Sequence, residues 1–437
     1  MAPDFDTARE DLRQFSTVTR YLRRYRHYLV LGGVAVVFAN GLALVLPFIV
    51  KLIFDGLEAG VAAARILHYV LLMLAAAILA GFFRFMMRRT IIWMSRHIEF
   101  DLRGDLFGHL LRLSPVYYHQ TRTGDVMARM TNDLEAVRQM IGPGVMYIAN
   151  AVVNLAIGFS VMIYLSPKLT LMAAIPLVVL PISVNRVGNL MHRRSMKIQE
   201  HFAALTAAAQ ENIAGIRVVK AYRQEKGETA DFAAMSKKYI SLNMDLARLY
   251  GMFFPLMRLT AGLSTLMVFF FGGMEVINGN ISLGTMVAFF AYLAVLMWPV
   301  IALGWVLSLY QRGVASLARI NRILFTEPRI KNEAAQPSRE KIRGRIELRN
   351  LHFQYDGHRV LDGIDLVIEP GQTVGIVGQT ASGKTTLVSL LARLYPVDRG
   401  QIFIDDIDIN DWDLETLRQQ IGFATQEVFL FSDTILE

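Results

Sequence analysis

The sequence predicts an α-helical membrane domain with six transmembrane helices and long cytoplasmic extensions, followed by an α/β P-loop nucleotide-binding domain. Three observations carry this prediction. Six apolar stretches lie within the first 310 residues. Lys and Arg collect in every second connection between them. The stretch "GIVGQTASGKTTL", Gly375 to Leu387, has the spacing of a phosphate-binding loop.

The chain has 437 residues, is 54% hydrophobic, and has a mean hydropathy of +0.37, too apolar for an ordinary soluble protein. It contains no cysteine, which excludes disulfides and thiolate metal sites and fits a reducing interior. The net charge of +8 invites a nucleic-acid reading. The positions of the charges argue against nucleic acid, because they follow the membrane pattern described next.

The apolar stretches are Tyr28–Ile49, Ile66–Phe83, Met140–Leu165, Leu169–Val184, Leu249–Met274 and Gly284–Tyr310. A bilayer crossing takes about 20 apolar residues, so most of them suffice alone. The fourth is short, contains Pro176 and Pro181, and needs its flanks. Residues 1–26 hold six Lys or Arg, residues 84–139 hold nine and residues 185–248 hold eleven. The intervening connections 50–65, 166–168 and 275–283 hold two, one and none. Basic connections stay in the cytoplasm. The N-terminus, both long connections and everything after Tyr310 are therefore expected there. The start has no signal-peptide pattern, and "DLRQFSTVTRYLRRYRHYL" reads as a basic amphipathic helix on the inner membrane surface.

The two long connections are rich in helix formers, with turn residues at one point each: "SPVYYHQTRTGDV" (114–126) and "ENIAGIRVVKAYRQE" (211–225). Membrane helices that continue past the bilayer and reverse at these points would form levers able to touch another domain. A solvated helical hairpin without a partner is the alternative. Within the spans, Asn40, Asn150, Asn154 and Arg258 are polar, and such groups face a cavity or protein. Trp298 and Trp305 either pack or line an aromatic substrate site.

Polar residues with two prolines follow the last span, as in a linker. From Arg345 the pattern turns to strands. "RIELRNLHFQY" and "VLDGIDLVIEPGQ" predict a hairpin around "DGHR". "TVGIVG" predicts a buried strand, "KTTLVSLLARLY" a helix, "GQIFIDD" a strand, "DLETLRQQ" a short helix and "IGFATQ" another strand. Strand, Gly-rich turn and helix are the context that the phosphate-loop motif needs. Glycines let successive N–H groups face one anion, and the helix N-terminus adds partial positive charge. Lys384 brings a full charge to the terminal phosphates, and the Thr385 hydroxyl suits Mg²⁺.

Taken together, these segments resemble a half-transporter of the ATP-binding cassette (ABC) exporter family, the multidrug and lipid flippase type. The likeness covers the whole chain. "FFRFMMRRTIIWMSRHIEFDLRGDLFGHLLRLSPVYYHQTRTGDVMARMTNDLEAVR" resembles the family's first cytoplasmic hairpin and "QENIAGIRVVKAYRQE" its second. The resemblance implies that the hairpin tips are coupling helices docked on ATPase domains, that Tyr117 and Tyr118 anchor the first tip in a groove beside Gln426, and that the working unit is a homodimer or heterodimer of half-transporters in the bacterial inner membrane. It implies ATP and Mg²⁺ as cofactors and a hydrophobic or amphipathic substrate. Tyr355 matches the aromatic that stacks on adenine, although simple packing is the commoner role of such a residue. Gly378, Gln379, Thr380, Ala381, Ser382, Gly383, Lys384, Thr385 and Thr386 match the phosphate loop. Gln426 in "FATQEVFLF" matches the glutamine that touches Mg²⁺ and senses the γ-phosphate. Lys384 and Gln426 are the residues expected to act in catalysis.

The implied division is an elbow helix (1–27), a six-helix membrane domain with two coupling hairpins (28–320), a linker (321–341) and the N-terminal part of the nucleotide-binding domain (342–437). Two departures from the family stand out. Ala381 stands where Gly is usual, and Thr425 where Pro is frequent. The signature loop, Walker B aspartate, catalytic glutamate and switch histidine of the family lie beyond "SDTILE", so this chain as written is expected to turn over no ATP by itself. A non-hydrolysing half of a heterodimer and a nucleotide-gated channel or regulator remain alternatives.

Overall fold

The computed structural model describes residues 16–332, 341–355, 357–426 and 429. It divides into two compact units. The first comprises residues 1–100 and 135–317, the second residues 101–134 and 318–437.

Residues 16–24 form a helix (α1) that buries Thr17, Val18 and Tyr21 while exposing Arg20, Arg23 and Arg24. That is the amphipathic pattern expected here; residues 1–15 of the elbow lie outside the described residues. The long helices follow: α2 Arg26–Glu58, α3 Ala63–Leu110, α7 Val145–Leu165, α8 Pro167–Ala214, α10 Glu225–Ile277 and α11 Leu283–Leu324. Between α3 and α7 the chain winds through α4 Pro115–Gln120, α5 Thr123–Ala128 and α6 Leu134–Gln139. π-helical turns at Arg129–Asp133 and Met140–Gly144 flank α6, and the second contains Pro143. Five helical stretches among the described residues are long and apolar enough to cross a membrane: Arg26–Glu58, Ala63–Leu110, Thr123–Leu165, Glu225–Ile277 and Leu283–Leu324. The fourth apolar stretch, Leu169–Val184, lies inside the 48-residue α8.

These helices are longer than a membrane requires. At 1.5 Å per residue, 48 residues reach about 72 Å, against a hydrocarbon core of about 30 Å. The second extension shows how the surplus is used. Arg194 of α8 donates to the Asp245 carbonyl of α10 (2.7 Å), the His201 ring meets the Met235 carbonyl (2.8 Å) and Asn212 donates to Glu228 (2.9 Å). The rungs run antiparallel and close at α9 Ile216–Ala221, within the stretch where the sequence reverses. The first extension reverses through α4, where Ser114 and Pro115 start a new helix after Leu110.

The core of the first unit gathers Leu44, Met162, Leu169, Val268, Phe289, Tyr292 and Leu296 from five helices. Lipid supplies little hydrophobic drive between helices, so close packing and buried hydrogen bonds hold them. Tyr292 donates its hydroxyl to the Leu44 carbonyl (3.0 Å), close to the break that Pro47 makes in α2. Asn40 donates to Asn150 (2.7 Å) and Asn154 donates to Asn40 (2.8 Å), tying α2 to α7. Near the α10–α11 connection, Asp55 accepts from the Gly284 N–H (3.1 Å) and pairs with Lys51 (2.6 Å). Where the basic extension leaves the apolar stretch, Arg138 pairs with both Glu99 and Glu135.

In the second unit, β1 Ile346–Tyr355 and β2 His358–Ile368 form the expected hairpin, with Ile346 opposite Ile368 and Tyr355 opposite His358. β3 Ile402–Ile404 pairs with the other edge of β1, and β4 Ile407–Asp408 with β3, giving an antiparallel sheet in the order β2-β1-β3-β4. Its apolar face covers α12 Lys384–Leu391 and α13 Leu414–Gln419 through Leu348, Leu361, Leu390, Ile404, Trp412 and Leu417. Asp413 caps α13 by accepting from the Thr416 N–H (2.8 Å).

Two expectations fail here. "TVGIVG" is not a buried strand: residues 372–379 have no regular secondary structure and are exposed, and Val377 keeps 96% of its surface. "IGFATQ" is not a strand either. An apolar run becomes a strand only where neighbours complete its ladder, and among the described residues no segment pairs with either. Part of the linker, residues 333–340, and the end of the chain after residue 429 lie outside the described residues.

The α2–α11 contact gives a test. A Cβ on Gly284 would overlap the Asp55 carboxylate and the Lys51 carbonyl, whereas one on Gly33 meets nothing. Gly284→Val should lower the melting temperature in detergent by about 5 °C or more, and Gly33→Ala should not. A thermal-unfolding scan of both variants decides.

Candidate functional site

The phosphate loop sits between the exposed segment 372–379 and α12. Gly383 is the N-cap of α12 with φ +90°, and a Cβ there would approach the Val360 carbonyl (3.2 Å) and Leu361 Cδ2 (2.7 Å). Only glycine satisfies both the left-handed turn and the close approach. Ala381 is also left-handed, at φ +64°. Its Cβ strains the backbone there, at a cost of about 1–2 kcal/mol. A Cβ on Gly378 would meet Ser382 Oγ at 2.7 Å, so the loop closes on itself at its first glycine.

Lys384 folds back over this loop. Its Nζ donates to the Gly378 carbonyl (2.9 Å) and the Gln379 carbonyl (2.6 Å), with Ser382 Oγ at 3.4 Å. The ammonium is thus held at the loop mouth by carbonyls, weak partners that an anionic oxygen can replace. Thr380 and Thr385 are exposed. Thr386 is buried and accepts a long hydrogen bond from the Tyr355 hydroxyl (3.4 Å), which brings the end of β1 against the loop helix. Gln426 is exposed, and no hydrogen bond joins it to the loop among the described residues.

Tyr355 belongs to an aromatic cluster. Its ring lies edge-on to Phe353 (4.9 Å) and to Tyr395 (5.2 Å). These three rings line a cavity of about 410 Å³ together with Val116, His119 and Gln120 of α4. His119 stacks on Tyr395 at 6.5 Å and 15°, with Nε2 3.1 Å from the Tyr395 hydroxyl. Burial and the adjoining Tyr355 hydroxyl push the Tyr395 phenol up to about 12, so it keeps its proton at any physiological pH.

The first hairpin tip therefore meets the aromatic cluster through His119, not through the tyrosine pair. Tyr117 and Tyr118 stack edge to face with each other, and Tyr118 donates to the Leu110 carbonyl (2.7 Å) at the end of its own helix. That bond adds a second donor to a carbonyl that already accepts from the Leu113 N–H (3.0 Å), and it holds the Tyr118 hydroxyl on its own helix end. His119 and Tyr395 escaped the sequence reading. Tyr395 in "LARLYPVDRG" had a signal, an aromatic before a proline just past the loop helix; His119 had none.

Chemically, this arrangement offers N–H groups and one cation to a polyanion, hydroxyls beside them, and an aromatic wall next to the loop helix. Among the described residues no group of three His, Cys, Asp or Glu could hold a metal ion by itself. The neutral oxygens of Thr385 and Gln426 suit a hard cation that brings phosphate ligands of its own.

The features place the chain among membrane proteins that carry a P-loop nucleotide site. Residues 29–300 match the family model for the ABC transporter transmembrane region, and residues 361–437 match the ABC transporter model. The multidrug resistance-like ATP-binding protein MdlA of Escherichia coli is 33% identical over 432 residues, covering 97% of this chain and 72% of that protein. The probable multidrug resistance ABC transporter ATP-binding/permease protein YheI of Bacillus subtilis is 37% identical over 343 residues, 78% of this chain and 58% of its own length. The ATP-dependent lipid A-core flippase of Syntrophus aciditrophicus is 30% identical over 423 residues, 96% of this chain and 70% of the flippase. The chain belongs to the ABC transporter family, and it is a multi-pass membrane protein with an ABC-type ATP-binding domain.

Strain at position 381 is open to test. Ala381→Gly should raise the stability of the nucleotide-binding part by up to about 1 kcal/mol, because the left-handed strain is already present in the loop without nucleotide. Thermal unfolding of the variant checks this; a lowered melting temperature would mean that Ala381 carries no strain.

Proposed function

We propose that the chain is a subunit of a dimeric, ATP-driven exporter that moves hydrophobic or amphipathic compounds across the bacterial inner membrane by alternating access. The observation that carries the reading is one chain holding five membrane-length helical stretches and a Gly383–Lys384 phosphate loop at a helix N-terminus. The names of its relatives, multidrug transporters and a lipid A-core flippase, support the substrate class. The alternation of basic and non-basic connections supports a cytoplasmic N-terminus and nucleotide-binding domain. The division at residues 28–320, 321–341 and 342–437 is proposed with it.

Within this reading Tyr355 stacks on adenine, and Gly378 through Thr386 wrap the phosphates. Lys384 neutralises charge that grows on the γ-phosphate as water attacks it. Thr385 and Gln426 would hold Mg²⁺, which would supply further positive charge beside the phosphates. Phosphoryl transfer depends mainly on positioning and charge stabilisation, so the loop's fixed N–H groups contribute as much as its cation. ATP closes two such domains, and the hairpin tips carry the closure to the membrane helices. In the first tip His119 transmits it, through its stack on Tyr395.

In the full-length protein, Lys384→Ala should lower ATP turnover by about 100-fold and abolish ATP-dependent transport in proteoliposomes. Turnover that is indifferent to Lys384 would overturn the reading. For the tip, His119→Ala should reduce the stimulation of ATPase activity by transported substrate, and Tyr117→Ala should leave it in place. The comparison is made by measuring turnover with and without substrate in nanodiscs.

A further inference from the structure

The first unit contains a cavity of about 310 Å³ walled by α2, α3, α7 and α11. That volume is at the lower end for small-molecule sites, about 300–1,000 Å³. Its lining is chemically divided. Arg84 and Arg88, one helical turn apart on α3, stand on one wall. Asn40, Asn150 and Asn154 stand on another, already bonded to each other. Trp298, with 67% of its surface open, offers an apolar ring. Among the lining residues there is no Asp or Glu, and no carboxylate pairs with Arg84 or Arg88 among the described residues.

Both arginines are exposed at this wall, where the apolar span gives way to the basic connection, so they are open to an anion from outside the chain. Arg138 on α6, whose side chain is buried, is by contrast matched by two glutamates. Among the described residues no carboxylate pairs with Arg84 or Arg88, and a guanidinium pair one turn apart matches the oxygens of a phosphate or carboxylate. A cationic head in the same place would face like charge.

We propose that this cavity binds the head of an anionic amphiphile: a phosphate or carboxylate on Arg84 and Arg88, a hydrogen-bonding neck at the asparagines and an apolar body along Trp298. This deepens the exporter reading and rests on it, by assigning the acidic amphiphiles as its substrate class. The acidic head belongs either to a bilayer lipid or to a dissolved amphiphile.

The test uses three compounds with the same twelve-carbon chain on the protein in neutral detergent, read by tryptophan fluorescence: dodecyl phosphate, dodecylphosphocholine and dodecyltrimethylammonium. Dodecyl phosphate should bind about tenfold more tightly than the other two. The double variant Arg84→Gln/Arg88→Gln should lose that preference while still binding dodecylphosphocholine, which reports that it is folded. Arg84→Lys/Arg88→Lys should keep part of the preference. In nanodiscs, weaker dodecyl phosphate binding in phosphatidylglycerol than in phosphatidylcholine assigns the occupant as lipid, and equal binding assigns it as a dissolved amphiphile. Binding that ignores the head group, or favours the cation, overturns the proposal and makes the two arginines interfacial anchors only. The exporter reading fails separately, if no amphiphile stimulates ATP turnover or moves across vesicles even though dodecyl phosphate binds in an arginine-dependent way.

Discussion

A peptide group left without a hydrogen-bond partner in hydrocarbon costs several kcal/mol, and nothing in the bilayer core can repair it. Much of the first unit follows from that constraint. Its backbone is almost wholly helical from Arg26 to Leu324, because a helix satisfies its own N–H and C=O groups. Pro47, Pro255 and Pro299 interrupt the ladder inside three of these helices. Close to the first, the Tyr292 hydroxyl supplies a bond at the Leu44 carbonyl. Once the backbone is closed in this way, side chains alone set how helices meet. Small residues allow contact, as where Gly158 faces Leu296, and amides supply the polar ties between α2 and α7.

The phosphate loop obeys the opposite rule. Its backbone is exposed, and its N–H groups are kept free of a ladder so that they can meet an anion. Such a loop needs an anchor, and the anchor is the sheet-and-helix core behind it. Leu387 and Leu390 of α12 pack on Leu348, Leu361 and Ile402, and the Gly383 turn rests on the Val360–Leu361 backbone. The hairpin β1–β2 thus does two things with one set of residues. It fixes the loop from behind through Leu361, and it presents Tyr355 at the end of β1, where its hydroxyl reaches Thr386. Strain at Ala381 is tolerable because Gly383 and the α12 N-terminus hold the turn on one side.

Periodicity and composition determined a large part of this protein. The apolar stretches are helical, the two reversals fall within "SPVYYHQTRTGDV" and "ENIAGIRVVKAYRQE", and β1, β2, α12 and α13 form where local pattern places them. These elements carry their own instructions: apolar residues at helical spacing, a Pro115 start after Ser114, an Asp413 cap, alternating residues in a hairpin with a short turn. The spacing Gly378 to Thr385 likewise depends on nothing distant, since the loop's turn and helix are built from adjacent residues.

The tertiary structure alone decided the rest. "TVGIVG" and "IGFATQ" have the composition of central strands, but a strand takes its ladder hydrogen bonds entirely from neighbouring strands that composition does not name. Tyr117 and Tyr118 have the look of an anchor, yet the Leu110 carbonyl, which also accepts from the Leu113 N–H, takes the second hydroxyl. His119 and Tyr395 are 276 positions apart, and no local pattern foretells their stack. Arg84 and Arg88 read in sequence as ordinary basic residues at the end of a span. Their place in a cavity without carboxylates is set by α2, α7 and α11 packing against α3. Local propensity writes which segments are helix, turn or hairpin; which polar group faces which is a property of the packed chain, because the partner that satisfies it comes from elsewhere in the sequence.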